Sequence, residues 1–404
     1  MMRAALISAL GVAIATFATA GELEDRGRYL ATAADCQPCH TKDGGGKPYA
    51  GGRALDTPFG KLYSANITPD PDTGIGNWTP DQFYRALHEG IDDQGHHLYP
   101  AFPYNYFTHM ERADTDALLA YLKTVPPVKE QPTRNRLQWP FSMRWLLVGW
   151  NMLFLNKDPF KPDPAHTPSW NRGAYLVEVV GHCGACHTPM NSFGAPKTDE
   201  KFQGGHIADM FAPNLTGNQK VGLGRWSPDD VVAFLKTGRN KYANASGEMG
   251  EVVEHSTSKL PDQDLNAIAE YIKGVAPSAD PQSSPPPQDQ MALGQQVFED
   301  TCSACHQMKA AGVPTMFPPL AGSAEVQQKD AATLVHIILN GTRTASTEEA
   351  PTPASMPAYD WKLSDIQIAA VTTYIRNAWG NSANVVTADD VGKMRNKTAR
   401  QDTQ

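Results

Sequence analysis

Apolar residues along this chain recur mainly at intervals of three and four, the spacing of an amphipathic helix, and rarely alternate as they would in a strand. The clearest helical runs end at Val125, Val275 and Trp379. Two further runs begin after Thr79 and Ser227, each followed by a proline, which is typical of an N-cap and a first helical turn. The pattern therefore predicts an all-α protein.

The helical pattern occurs in repeated sections. Residues 26–30, with the sequence Arg-Gly-Arg-Tyr-Leu, return as Arg-Gly-Ala-Tyr-Leu at 172–176. Two further motifs recur at a similar offset, Asn-Ile-Thr at 66–68 with Asn-Leu-Thr at 214–216, and Trp-Thr-Pro-Asp at 78–81 with Trp-Ser-Pro-Asp at 226–229. A shorter, more diverged third section keeps the same order of helices. We interpret the first two sections as an internal duplication.

These sections predict three tandem domains separated by linkers. The expected boundaries are 21–130, 169–276 and 291–381 for the domains, 131–168 and 277–290 for the linkers, and 382–404 for a polar C-terminal tail. The second linker is rich in proline and serine, a composition typical of a semi-rigid spacer.

The N-terminus has the pattern of a secretory signal peptide. Arg3 precedes an apolar run at 4–18, and Ala18-Thr19-Ala20 forms a small-residue cleavage site. A retained anchor helix is the alternative, but the apolar run is short for a membrane span. We therefore expect cleavage of residues 1–20 and export to an oxidising compartment.

All the cysteines fall into three copies of Cys-x-x-Cys-His. On one helical turn, two cysteines three residues apart point to the same side and the next histidine continues that face, so two thioethers and an iron ligand can serve one haem. Three disulfides or a zinc half-site are the alternatives. Because every copy carries its histidine, the pattern favours three covalent haem c groups. The predicted attachment residues and proximal ligands are Cys36, Cys39 and His40, Cys183, Cys186 and His187, and Cys302, Cys305 and His306.

The residue that binds the iron on the side opposite each motif histidine decides the chemistry of that haem. A methionine thioether there gives an iron that only transfers electrons, whereas an open position could bind a small molecule. Met356, 50 residues after His306 and just before the last predicted helix of the third domain, is the expected ligand there. Met249 occupies the matching position in the second domain. Weaker candidates in these domains are Met190, Met210, Met308 and Met316.

Met110 is the expected sixth ligand of the first domain, although its spacing from the last helix of the domain differs from that of Met249 and Met356. It lies 11 residues before the tyrosine of the last helix of its domain, whereas the other two expected ligands lie 22 and 18 residues before theirs. By that register the ligand position holds Phe102, which cannot bind iron. Either Met110 enters from a shifted loop, or the position is open, or a histidine replaces it, namely His96, His97 or His109.

The first linker contains an unusually apolar helix, predicted at 141–156. Phe141, Trp145, Val148, Met152 and Leu155 recur at helical spacing, and further apolar residues widen that face. Such a helix must be covered by protein or by lipid. Its tryptophans and arginine suit the lipid headgroup level, which favours a peripheral membrane contact through 141–155. A linker helix buried between the haem domains is the alternative interpretation.

Other classes of function lack support in the sequence. The chain has no dinucleotide-binding glycine fingerprint, no phosphate-binding loop and no His-Glu-x-x-His zinc motif. A net charge of −8 argues against nucleic acid as a partner. Haem alone gives the chain no evident way to take a hydride from a substrate.

The duplicated motifs together resemble a known family. The Arg-Gly-x-Tyr-Leu segments, the three haem motifs, the run at 64–76 and the segment Gly-His-His-Leu-Tyr-Pro at 95–100 are similar to the triheme cytochrome c subunit of bacterial membrane-bound dehydrogenase complexes. The resemblance covers nearly all of the chain after the signal peptide. It implies three class I cytochrome c-like domains and a separate catalytic subunit of flavin, quinoprotein or molybdenum type.

The resemblance also implies a function, in which electrons pass from the catalytic subunit through the haems to membrane ubiquinone or a terminal oxidase. By itself the chain is then not expected to be an enzyme, since the substrate binds elsewhere. Two alternatives remain: a freestanding periplasmic multihaem carrier, and an independent haem enzyme with an open first haem.

Overall fold

The computed structural model describes residues 20–401, so the predicted signal peptide lies outside the described residues except for Ala20. The first section contains helices α1 Ala20–Ala33, α2 Cys36–Cys39, α3 Pro80–Glu89, α4 Tyr104–Phe107 and α5 Arg112–Leu122, with strands β1 Ala54–Thr57, β2 Gly60–Tyr63 and β3 Arg136–Leu137. Helix α6, Leu146–Phe154, follows in the first linker and is shorter than predicted.

The second section repeats this order. It contains helices α7 Pro168–Tyr175, α8 Gly184–His187, α9 Pro228–Thr237, α10 Gly247–His255 and α11 Asp262–Lys273, with strands β4 Gly205–Ile207 and β5 Met210–Ala212. A π-helical segment, Leu176–Val180, continues α7 toward the haem motif, and short 3₁₀ turns occur at Thr198–Glu200 and Thr257–Lys259.

The third section is shorter but has related elements. It contains helices α12 Gln288–Val297, α13 Ser303–His306, α14 Ala332–Asn340, α15 Asp365–Asn377 and α16 Ala388–Gln401, with strands β6 Thr342–Arg343 and β7 Ser355–Met356. A π-helical segment, Phe298–Cys302, again leads into the haem motif. Most of the predicted 382–404 tail is therefore helical, and Arg395 of α16 donates to Asp365 at 2.7 Å.

The prediction of an all-α fold is correct for the dominant elements and missed three small antiparallel sheets. Leu55 lies opposite Leu62 in the sheet β1–β2–β3, His206 opposite Phe211 in β4–β5, and Thr342 opposite Met356 in β6–β7. These strands have two to four residues each, which is too short for an alternating apolar pattern to be visible in the sequence.

The helix starts expected from the sequence are confirmed. Thr79 and Ser227 accept hydrogen bonds from backbone N–H groups three residues later, and each forms a capping box with the side chain at that position. Ser364 caps α15 in the same way. These side chains satisfy N–H groups that would otherwise lack a partner in the first turn of each helix.

One glycine in each section lets the first helix cross a later helix at backbone contact. A Cβ atom on Gly27 would lie 2.0 Å from the carbonyl oxygen of Ala117, and one on Gly173 would lie 1.9 Å from that of Ala267. In the third section the corresponding distance from Gly294 to Ala370 is 2.2 Å. Helices α1 and α5, α7 and α11, and α12 and α15 therefore pack without room for any side chain at these positions.

The hydrophobic core lies around these crossings. One continuous cluster contains buried residues from both the first and the second section, among them Leu30, Leu118, Val177 and Leu265. A second cluster fills the third section and includes Phe298 and Ile368. The first two sections thus share a core. None of the helices within residues 20–401 combines the length and apolar character that crossing a bilayer requires.

The glycine crossings generate a prediction about stability. Gly294→Ala should lower the free energy of unfolding by about 1–3 kcal/mol, because α12 and α15 must separate to admit the new methyl group. Gly149→Ala in α6 is the matched control: the methyl group that alanine would add meets no packed neighbour within 4 Å, so the change should be neutral or stabilise the helix by up to about 1 kcal/mol. Chemical denaturation of both variants measures the difference, and equal stabilities would refute the crossing as a constraint.

Candidate haem sites

Each Cys-x-x-Cys-His motif forms a single short helical turn at the end of a longer helix. Cys36 and Cys39 bound α2, whereas Cys183 and Cys302 directly precede α8 and α13. All six cysteines lie in the described part of the chain and are free thiols, so the structure contains none of the disulfides considered as an alternative. The two thiols of each motif are thus available on one turn, as attachment to one haem requires.

The three motif histidines have the same hydrogen bond. The Nδ1 atom of His40 lies 2.7 Å from the carbonyl oxygen of Ala65, that of His187 lies 2.7 Å from Pro213, and that of His306 lies 3.2 Å from Pro318. A carbonyl oxygen can only accept, so Nδ1 donates its proton and Nε2 keeps a free lone pair. This is the tautomer and orientation that an iron ligand needs.

The duplicated Asn-x-Thr motifs explain how two of these carbonyls are held. Asn66 follows Ala65, and its side chain accepts from both the backbone and the hydroxyl of Thr68. Asn214, which follows Pro213, makes the same pair of bonds with Thr216, at 2.8 and 2.7 Å. These side chains fix the turn that presents the carbonyl to the histidine.

Burial sets the protonation of the motif side chains. It lowers the pKa of His40, His187 and His306 below the ordinary value, while the carbonyl hydrogen bond acts in the opposite direction, so each imidazole stays neutral. Burial also raises the pKa of Cys183 and Cys186 to about 12. Neutral imidazoles with a free nitrogen, beside paired thiols, form a donor set that fits covalently bound haem c.

The expected sixth ligands of the second and third sections are both partly buried. Met249 lies in α10 and packs, half-buried, against a small cluster containing Ala245 and Ala345. Met356 lies in β7 and packs, half-buried, on the core of the third section. Of the weaker candidates, Met190, Met308 and Met316 are exposed, and Met210 lies half-buried in β5.

The first section places its candidate ligands in different surroundings. Met110 is 1% exposed and lies in the core, in the short segment between α4 and α5. Phe102 also packs on that core, against Phe107. The histidines have other partners: His96 pairs with Asp92 on the surface, His97 contacts Asn151, and the Nδ1 atom of His109 binds the carbonyl oxygen of Asp158.

The first and second haem motifs lie against each other, which sequence analysis did not predict. The Nε2 atom of His182 lies 3.4 Å from the carbonyl oxygen of Ala34, so the chain before Cys183 touches the chain before Cys36. The ring of Phe107 also packs edge-on against His182. Because these residues are about 150 positions apart and the contact is tertiary, no local pattern could have indicated it.

Helix α6 is exposed on its most apolar side. Met152 is 83% exposed and Trp145 is 67% exposed. The opposite side rests on the protein: Leu147 is buried, and Asn151 accepts from the hydroxyl of Tyr104 at 2.7 Å. A helix buried between haem domains is therefore the wrong interpretation for this face. We call the exposed apolar side chains of the first linker the linker surface: Trp139, Phe141, Trp145, Val148, Met152 and Leu153.

Comparison with known proteins gives consistent matches. The family model described as Cytochrome c matches residues 24–126 and 291–379. The gluconate 2-dehydrogenase cytochrome c subunit of Pantoea cypripedii is 39% identical over 98% of this chain and 95% of its own length. The cytochrome c subunit of a quinone alcohol dehydrogenase from Gluconacetobacter polyoxogenes is 40% identical (93% and 85%), and the fructose dehydrogenase cytochrome subunit of Gluconobacter japonicus is 37% identical (92% and 82%).

Proposed function

The chain belongs to the family of cytochrome c subunits of dehydrogenase complexes, and from this premise we propose that it is an electron-transfer subunit. It receives electrons from a separate catalytic dehydrogenase subunit and passes them through three covalent haem c groups to ubiquinone or the respiratory chain. The observation that carries this proposal is the threefold recurrence of a histidine whose Nδ1 is held by a carbonyl beside two free thiols.

Each section contributes one haem site in this proposal. The cysteine pairs would form the thioethers, and His40, His187 and His306 would bind the iron through Nε2. Bound haem supplies an iron that alternates between its ferric and ferrous states. The chain's own residues hold each imidazole in one tautomer. We assign Met110, Met249 and Met356 as the sixth ligands, supported by the burial of the first and the half-buried positions of the other two.

We further propose that the protein acts on the periplasmic side of the inner membrane and contacts the bilayer through the linker surface. Residues 129–161 carry six basic and two acidic side chains, although the whole chain has a net charge of −8. An exposed apolar helix within a locally basic segment is typical of a peripheral contact with anionic lipid.

The number of haems is tested by removing one attachment site. Changing Cys183 and Cys186 to alanine should lower covalent haem from three to two per chain, because each cysteine pair anchors one porphyrin. The same change at Cys302 and Cys305 should also remove one haem, and the combined variant should retain one. Pyridine haemochrome analysis measures the content. Three haems in either double variant would show that the assignment is wrong.

The ligation of the third haem is tested at Met356. Met356→Ala should lower the midpoint potential of one haem and produce a high-spin component in the oxidised spectrum, because the thioether stabilises reduced iron. Met308→Ala is the matched control, since Met308 is exposed beside the same attachment motif and should leave both properties unchanged. A titration of the Met356 variant that overlays the wild-type curve would mean that another residue is the ligand.

The membrane contact is tested on the linker surface. Replacing Trp145 and Leu153 by serine should weaken partitioning into anionic vesicles by about a hundredfold or more, because each buried large apolar side chain contributes roughly 2 kcal/mol. Haem content and melting temperature should not change, since both side chains are exposed. Trp361→Ser is the control, because Trp361 is 79% exposed but belongs to the third section rather than to the first linker.

Vesicle sedimentation and a melting curve on the same samples separate the possible outcomes. Unchanged sedimentation of the double variant would refute the lipid contact. If the double variant sediments as the wild type does but no longer binds a copurifying catalytic subunit, the linker surface is instead the contact with that subunit.

A further inference from the structure

The first two sections are joined by a hydrogen-bonded cluster that crosses between them. Within the first section, Arg26 forms an ion pair with Asp114, the third residue of α5. The other carboxylate oxygen of Asp114 accepts a hydrogen bond of 2.6 Å from the hydroxyl of Tyr175, which belongs to the second section. Asp114 therefore binds an arginine from its own section and a tyrosine from the neighbouring one.

The same arrangement occurs in the opposite direction. Arg172 donates to Asp264 at 2.9 Å within the second section. The hydroxyl of Tyr29, from the first section, donates to the other oxygen of Asp264 at 2.6 Å and accepts from Arg172 at 2.9 Å. Each arginine thus binds the aspartate of its own section while each tyrosine binds the aspartate of the other section, so the two clusters are reciprocal. We call these two clusters the paired clasp.

The third section lacks all three side chains of the clasp. Aligned on the glycine of the helix crossing, Arg26 corresponds to Leu293 and Tyr29 to Gln296. Asp114, three residues before the alanine of that crossing, corresponds to Gln367. The glycine crossing is therefore common to all three sections, whereas the clasp is restricted to the two whose cores are continuous. The third section folds without a clasp, so the clasp is not one of the features that a section needs in order to fold.

Both aspartates of the clasp are buried, so their hydrogen bonds are costly to lose. The side chain of Asp114 is 3% exposed, and Tyr175 is also buried. Burial alone would raise the pKa of Asp264, but the hydrogen bonds from Arg172 and Tyr29 outweigh it and hold that pKa below its usual range. An aspartate ionised in such surroundings requires its partners, because an unpaired buried charge is strongly unfavourable.

The haem motifs lie at the interface that the clasp holds. Tyr29 precedes the chain segment that contacts His182, and Tyr175 leads through the π-helical segment to Cys183. In that interface the hydroxyl of Ser256 also donates to the carbonyl oxygen of Ala33 at 3.3 Å. A small rotation of one section against the other would therefore shift the two attachment motifs relative to each other.

We propose that the paired clasp positions the first two haem sites as a directly coupled pair, with Tyr29, Tyr175, Asp114 and Asp264 as positioning residues. The proposal rests on the proposed function, because it requires a haem at each of these motifs. The third haem site is held by other contacts and stands outside the coupled pair. The clasp thus sets the geometry of one electron-transfer step without contacting the substrate of the complex.

The test removes the two crossing hydroxyls from the full-length haem-loaded protein. Tyr29→Phe with Tyr175→Phe keeps both rings but removes both hydrogen bonds to the neighbouring aspartates. Tyr271→Phe is the matched control, because its hydroxyl binds Glu178 within the second section. Soret circular dichroism, which reports on coupling between neighbouring haems, is measured beside a redox titration, haem content and a melting curve.

The double variant should keep three haems and lose the coupled Soret signal, and the potentials of two haems should shift while the third stays fixed. The control should retain the coupled signal. A double variant with three haems and an unchanged Soret signal would overturn the inference. If the double variant does not fold, Tyr29→Phe alone should lose part of the signal, and an unchanged signal there would equally overturn it. Fewer than three haems in the wild-type protein would instead refute the proposed function.

Discussion

The hydrogen bond between each motif histidine and a distant carbonyl is the interaction on which the rest of the structure depends. A neutral imidazole can donate from only one ring nitrogen, so fixing the proton on Nδ1 leaves the other nitrogen free for iron. The carbonyl comes from 25 residues downstream in the first section, 26 in the second and 12 in the third. Each loop must therefore return to its own motif, and the glycine crossings hold the surrounding helices close enough for this.

Local chemistry was predictable from the sequence to a large extent. The cysteine and histidine positions, the capped helix starts at Thr79 and Ser227, and the apolar linker helix all follow from spacings within about ten residues. The Asn-x-Thr repeats were visible as a duplication, but their role in orienting Ala65 and Pro213 was not, because that role depends on where the loop returns. The small sheets were missed because so few residues form each strand.

Contacts between sections could not be predicted from one sequence. In the sequence, Tyr29 and Tyr175 resemble ordinary core positions of a repeated helix. Only the fold shows that the hydroxyl of each tyrosine binds an aspartate of the other section. Likewise, periodicity shows that a helix such as α6 is apolar but not which side faces solvent. The proposed sixth ligands show the same limit, since the spacing that relates Met249 to Met356 fails at Met110, which lies in the core shared by the first two sections.

The central claim is that every cysteine of this chain is used to attach haem, one group per motif. Intact mass spectrometry of the purified protein, denatured and treated with a thiol alkylating reagent, tests it most directly. The account predicts the mass of the chain without its signal peptide plus three haem groups, with no alkylated cysteine. A mass corresponding to two haems or fewer, with alkylated thiols at the remaining motif, would contradict it.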